Sequence, residues 1–299
     1  MADYVLSCCS TADLSEQYFA ERDIHYVCFH FTLNGEQYFD DLGKSMSLTD
    51  FYETLKNDPD TDVSTSQVNI TEYLAYFEPF LKAGKDIFHV CLSSGISGTC
   101  NSAQNAAEIA LERYPERKIC IVDSLAASAA YGMLVDSLAD MRDAGKSMEE
   151  LKAWAEENRF KLHQLIFTSD LTFFVKGGRI SKTAGLFGGM LNICPFIEVN
   201  REGKLIPREK IRGKKAVIKH AVKKMTEYVN DGPDYADKCF ISNAYCYEDA
   251  KETADLVEAA FPNLKGRVLI FDIGTTIGSH TGPGTVSLSF YGKERAEFQ

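Results

Sequence analysis

Short apolar runs separated by helical patterns fill the first 165 residues, and this alternation constrains the fold more than any other feature. Residues 4–7, 27–31, 87–92, 119–122 and 162–167 are brief and rich in β-branched or aromatic side chains, the pattern of buried strands. Between them lie helix patterns. The segment 70–82 is opened by Asn69 with Glu72 three residues on, a capping box. The segment 98–113 keeps Ala103, Ala106, Ala107 and Ala110 on one face and is followed by Pro115. The segment 126–144 ends at Gly145, and 148–159 is opened by Ser147 with Glu150. Strands that alternate with helices predict a parallel sheet covered on both faces, with a ligand beyond the carboxyl ends of its strands.

The texture changes after Phe167. Residues 176–212 are rich in glycine and basic residues, with Gly177-Gly178-Arg179 followed by Gly185, Gly188 and Gly189 inside the apolar stretch 184–197. Helix patterns return at 215–230 and 248–260, and strand patterns at 238–242, 267–273 and 285–291. The expectation is an α/β protein of two domains. Residues 1–165 form a Rossmann-like parallel-sheet domain, residues 166–299 a second α/β domain, and the ligand lies between them.

Composition excludes several classes of function. Lys and Arg total 32 against 43 Asp and Glu, a net charge of −11, which repels a phosphate backbone and argues against nucleic acid as a partner. No run reaches the ~18–20 apolar residues of a membrane span, and the first residues lack the basic and apolar regions of a secretory signal. The nine cysteines form no Cys-x-x-Cys pair. Several sit inside apolar runs, where a thiol behaves as a small hydrophobe. A reducing cytoplasmic compartment and the absence of a metal site are therefore expected, with Cys8 and Cys9 as structural filler.

Five segments could carry chemistry. Ser93-Ser94-Gly95-Ile96-Ser97-Gly98-Thr99 follows an apolar strand and opens a helix, so free backbone N–H groups and hydroxyls could meet an anion there. Taken alone, Ser97 reads as an N-cap. Ser64-Thr65-Ser66-Gln67 precedes another helix, where capping is again the plainer role. The segment 277–284 carries His280 among glycines and reads as a loop between two strands. Residues 173–197 mix Phe173, Phe174, Leu186, Phe187, Met190, Leu191 and Ile193 with glycines, which suits either a buried helix or an apolar pocket. A basic run includes Arg201, Lys204, Arg208, Lys210, Arg212, Lys214, Lys215 and Lys219, either a solvated face or a docking surface for an acidic or phosphorylated partner.

Read together, five motifs resemble a known family. Thr65-Ser66-Gln67 before a helix, the 93–99 segment followed by Asn101-Ser102-Ala103, Ile121-Val122-Asp123-Ser124, Gly177-Gly178-Arg179-Ile180-Ser181 and His280-Thr281-Gly282-Pro283-Gly284 occur in that order. Across essentially the whole chain this resembles the DegV family of bacterial fatty-acid-binding proteins. The resemblance implies a long-chain fatty acid held between two α/β domains, no cofactor, and a non-catalytic monomer. Such a protein presents its ligand to a separate fatty acid kinase, which makes acyl phosphate for phospholipid synthesis. It implies Thr65, Ser97 and His280 as carboxylate ligands, with Ser94 and Gly98 nearby, and Arg179 as support at the domain junction. It places the acyl chain in a tunnel largely in the second domain. Given such a partner, the basic run is the expected docking surface, with Lys210, Arg212 and Lys214 as the charges to test. The chain departs from the family pattern at Cys9-Ser10, where an Asp-Ser pair is usual, and at Val68 and Asn69, where Pro and Ser are usual.

The residues read by themselves agree. An anionic head suits hydroxyls at a helix entry plus an imidazole, and each buried methylene of a tail contributes roughly 0.8 kcal/mol. The alternative is a serine hydrolase using Ser97, Asp272 and His280, which follow the nucleophile–acid–base order of α/β-hydrolases but lack the Gly-x-Ser-x-Gly elbow. A dinucleotide enzyme is disfavoured, because Ser7-Cys8-Cys9-Ser10-Thr11 after the first strand contains no glycine.

Overall fold

The computed structural model describes residues 4–58, 60–181 and 192–295. In chain order the elements are β1 (Tyr4–Cys9), α1 (Glu16–Glu21), β2 (His25–Val27), β3 (His30–Leu33), β4 (Glu36–Phe39), α2 (Leu48–Asn57), β5 (Val63–Ser66), α3 (Ile70–Lys82), β6 (Asp86–Cys91), α4 (Thr99–Arg113), β7 (Ile119–Asp123), α5 (Ser128–Asp143) and α6 (Met148–Asn158). They continue with β8 (Leu162–Phe167), α7 (Thr172–Lys176), β9 (Ile193–Val199), β10 (Leu205–Arg212), α8 (Lys214–Tyr228), β11 (Cys239–Asn243), α9 (Tyr247–Ala260), β12 (Leu269–Asp272), α10 (Thr275–Thr281) and β13 (Val286–Tyr291).

The first unit is built on the expected parallel sheet, in the order β2-β1-β6-β7. Its helices start where the sequence signals them. Asn69 and Glu72 close the capping box of α3, and Ser147 and Glu150 that of α6. The run 27–31 is not one strand. It splits into β2, an edge of the parallel sheet, and β3, the centre of a separate antiparallel sheet ordered β4-β3-β5. The turn at Asn34 and Gly35, both at positive φ, closes the β3–β4 hairpin. Polar, half-exposed β4 and β5 lack the apolar signature of buried strands, so their sequences read as loop.

The second unit is a six-stranded mixed sheet, β10-β9-β8-β13-β11-β12. All of β8 belongs to it, so the boundary set at 165 falls inside this strand. Along β13, Val286, Leu288 and Phe290 pack with α8 and α9 in one core, while Ser287 and Ser289 take the opposite face. α5 lies between the two large sheets and is buried on nearly all sides. Its Gly132 lets the backbone approach Ala12, since a Cβ there would sit 2.6 Å from the Ala12 carbonyl oxygen. Ionic contacts add to this seam: Asp136 of α5, almost fully buried, accepts from Arg22 at 2.8 Å and also pairs with Lys238. Among the described residues, no helix is long and apolar enough to cross a membrane.

Candidate functional site

Three segments distant in the chain meet at one cavity of about 700 Å³. β5 brings Thr65, the loop after β6 brings Ser97 and Gly98, and α10 brings His280. All four residues line the cavity, together with Arg179 from the turn after α7. The wall beyond them is largely apolar, with Phe29, Leu92, Ile166, Phe174, Leu205 and Ile277 among its residues.

The local folding differs from the sequence expectation at three of these positions. Thr65 sits on strand β5, paired with Phe31 of β3, and not in a helix-capping loop. His280 lies in the last turn of α10, which the glycine-rich sequence disguised as a hairpin loop. Gly282, at φ +67, ends that helix and lets the chain turn into β13. Ser97 is not the N-cap of α4. Gly98 is, and the Ser97 hydroxyl accepts a weak bond from the Thr99 N–H at 3.3 Å.

His280 connects the head residues. Its Nε2 lies 2.7 Å from Thr65 Oγ1, and its Nδ1 lies 3.4 Å from Arg179 Nη1. Guanidinium nitrogens only donate, so Nδ1 is assigned as the acceptor and the imidazole proton falls on Nε2. Nε2 then donates to Thr65 Oγ1, and the Thr65 proton is free for a ligand. Burial, helped by the Arg179 charge, pushes the His280 pKa down to about 3, so the ring is neutral at physiological pH. Arg179 also donates to the backbone oxygens of Ile96, at 3.2 Å, and Gly177, at 2.6 Å. Among the described residues it bonds no carboxylate, and burial lowers its pKa. A half-buried guanidinium with no carboxylate partner among the described residues, beside hydroxyls on the wall of a largely apolar cavity, suits the anionic head of an amphiphile.

The second unit holds the head loop in place. Ser93 Oγ donates to the Gly203 carbonyl at 2.9 Å, and a Cβ on Gly95 would collide with the backbone of Glu202 and Gly203. The β9–β10 turn therefore presses directly on the loop that presents Ser97.

The remaining expected residues take different places. Ser94 is exposed, does not line the cavity and donates its backbone N–H to Asp123. Phe174 lines the cavity, whereas Phe173 packs in the core of the first unit and Ile193 begins β9. Leu186, Phe187, Met190 and Leu191 lie outside the described residues. Sequence reading missed Phe29, Leu92, Gln164 and Ile166. Each sits at or beside a strand end or on the inward face of a strand, a placement that only the assembled sheets reveal. Cys8 and Cys9 are fully buried, and desolvation pushes the Cys9 thiol up to about 11, which leaves it a poor nucleophile.

The hydrolase alternative fails on geometry. A triad needs a carboxylate on the second nitrogen of its histidine, and here that nitrogen faces the Arg179 cation. Asp272 accepts instead from Asn243 Nδ2 at 3.0 Å.

The fold and site define a two-unit α/β protein with a cluster of polar residues on the wall of a largely apolar cavity. The chain belongs to the DegV family: the family model described as "uncharacterised protein, DegV family" matches residues 9–293. A DegV domain-containing protein of Clostridium perfringens is 35% identical over 292 residues, covering 98% of each chain. Among solved structures, a stearic acid-binding protein from Eubacterium ventriosum is 25% identical with a TM-score of 0.85, covering 97% of this chain and 98% of that one. The Streptococcus pneumoniae fatty acid kinase B3 protein loaded with linoleic acid is 23% identical with a TM-score of 0.83, covering 97% and 99%. A Thermotoga maritima protein described by its fatty acid binding function is 22% identical with the same TM-score, covering 98% and 100%.

Proposed function

We propose that this protein binds a long-chain fatty acid and presents it to a separate kinase for acyl-phosphate formation. The carboxylate would accept hydrogen bonds from Thr65 and Ser97, with Gly98 beside it, and the acyl chain would fill the apolar cavity. The observation that carries the reading is the Arg179–His280–Thr65 chain on the wall of that cavity. It supplies a cation and a hydroxyl proton that, among the described residues, have respectively no carboxylate partner and no acceptor. The stearic acid-binding protein and the linoleic acid-loaded one support the ligand class, and the kinase B3 protein supports a kinase partner.

In this reading the neutral His280 relays polarity and not a proton. At physiological pH it is not an acid toward the carboxylate, and the Arg179 cation and the hydroxyl donors would favour the anionic form, the one that is nucleophilic toward a phosphoryl donor supplied by the partner. The protein itself would catalyse nothing. The nine cysteines are unpaired and suit a reducing cytoplasm. Native mass spectrometry of protein purified from cells, followed by denaturing extraction, tests the ligand: a co-purified fatty acid released on denaturation is expected. Protein that carries no acid, and that neither palmitate nor oleate saturates, would refute it.

A further inference from the structure

The cavity is not apolar throughout. Gln164 of β8 and Ser287 of β13 both line it, and both are at least 97% buried, at 3% and 2% relative exposure. The orientation of the Gln164 amide follows from its partners. Its Oε1 faces the Ala127 N–H at 3.2 Å, which can only donate, and its Nε2 faces the Ala127 carbonyl at 3.0 Å, which can only accept. The second Nε2 hydrogen is therefore the one that meets Ser287 Oγ at 3.2 Å. Ser287 must accept in that bond, so its own proton points elsewhere. Among the described residues nothing accepts it. One lone pair of Gln164 Oε1 is likewise unused.

A purely structural role explains half of this. Leu125 and Ser128 flank Ala126-Ala127 at positive φ, +49° and +53°, a conformation that needs support in non-glycine residues. The two Gln164–Ala127 bonds give that support. They make no use of the Ser287 proton, and a leucine-like wall would serve a plain acyl chain better than a serine. The wall thus offers one free donor and one free acceptor side by side, from two strands that supply none of the proposed carboxylate ligands.

Resting on the fatty-acid reading above, we propose that this cavity accepts acyl chains carrying a hydroxyl group. The hydroxyl would accept from Ser287 and donate to Gln164 Oε1. A single hydroxyl satisfies both requirements because it is a donor and an acceptor at once. Removal of such a group from water is unfavourable unless it is paired, so the pair would turn a penalty into selectivity.

The test measures dissociation constants for stearate, ricinoleate and a series of monohydroxystearates with the hydroxyl moved along the chain. At least one hydroxylated acid should bind as tightly as stearate or tighter, where an apolar wall would weaken it by about tenfold or more. Ser287→Ala should shift the ratio of that acid to stearate against the hydroxyl by about fivefold or more. Ser287→Cys keeps a side chain of similar shape with a weak donor and should shift the ratio the same way, which guards against a packing artefact. The inference falls if every hydroxylated isomer binds more weakly than stearate, or if neither variant moves the ratio. If stearate itself does not bind, the fatty-acid reading fails, a result distinct from rejection of the hydroxyl alone.

Discussion

Thr65 and His280 stand 215 positions apart in the chain, yet Thr65 Oγ1 lies 2.7 Å from His280 Nε2. The antiparallel sheet carries the first residue and the short helix α10 the second. Their contact joins the two halves of the head cluster, so each should matter to ligand affinity as part of one chain of hydrogen bonds. Thr65→Val keeps the shape and removes the donor. It should weaken fatty-acid binding by about 1.5–3 kcal/mol, the value of a hydrogen bond to a charged group. Ser97→Ala should do the same, and titration calorimetry reads both. Unchanged affinity in both variants would remove the carboxylate from this cluster.

Gly177 and Gly178 allow a sharper test, because they are neighbours with opposite demands. A Cβ on Gly177 would overlap His280 Nδ1, while one on Gly178 meets nothing within 4 Å. Gly178 has φ +71, so alanine there is strained by its backbone alone. Gly177→Ala should displace the His280 ring, break its bond to Thr65 and lower affinity by about tenfold or more. Gly178→Ala should instead cost about 1–2 kcal/mol of folding stability, with a smaller effect on affinity. Equal losses of affinity in the two variants would contradict this geometry.

His89 ties stability to pH. It is fully buried on β6, with Nδ1 2.7 Å from Ser7 Oγ, and desolvation lowers its pKa from 6.5 to about 3. Between those values the unfolded chain binds a proton that the folded chain does not. Stability from this residue is therefore complete above about pH 6.5 and is lost as pH falls toward 3. The slope approaches about 1.4 kcal/mol per pH unit. Asp13 and Asp40, buried with raised pKa values, act in the opposite direction. The test therefore compares His89→Gln with the unmodified protein. Urea midpoints between about pH 4 and pH 6 should fall less steeply in the variant. Parallel slopes would mean that His89 titrates like a solvated histidine.

How far the sequence reveals this arrangement depends on what each residue contributes locally. Capping boxes at Asn69 and Ser147 and the buried strands of the parallel sheet are written in local pattern, and the structure keeps them. The head residues were reachable through motifs, but their setting was not. The polar strand β5 has no apolar alternation, and α10 is too short and glycine-rich to show a helical period. The cavity wall was the least legible part. Gln164 sits in a strand, Leu162–Phe167, that is apolar apart from it and His163, and only the pairing of β8 with β13 and the placement of α5 decide what its inward face meets.

The basic run changes meaning once its partners are known. Much of it lies on β10 and the start of α8, and several of its charges are already matched. Lys214 pairs with Asp249 at 2.7 Å, Arg208 with Glu198 at 3.3 Å, Arg201 with Glu294 at 3.2 Å and Lys204 with Glu202 at 2.6 Å. Lys210, Arg212 and Lys215 are exposed. If β10 guides a kinase to the head loop, Arg212 and Lys215 are the charges to reverse, because Lys214→Glu would also set two acids against each other at Asp249. Arg212→Glu combined with Lys215→Glu should leave fatty-acid binding intact and slow acyl-phosphate formation with the cognate kinase. Rim charges act mainly on association rate, so the defect should be largest at low ionic strength and shrink as salt screens it. The β9–β10 turn touches the Ser93–Gly98 loop through Ser93 and Gly203, whereas Arg212 ends β10 and Lys215 follows it, so the pair tests whether docking extends along the strand away from that loop. Turnover that the double reversal leaves unchanged at low salt would make β10 a solvated edge and move the docking surface elsewhere.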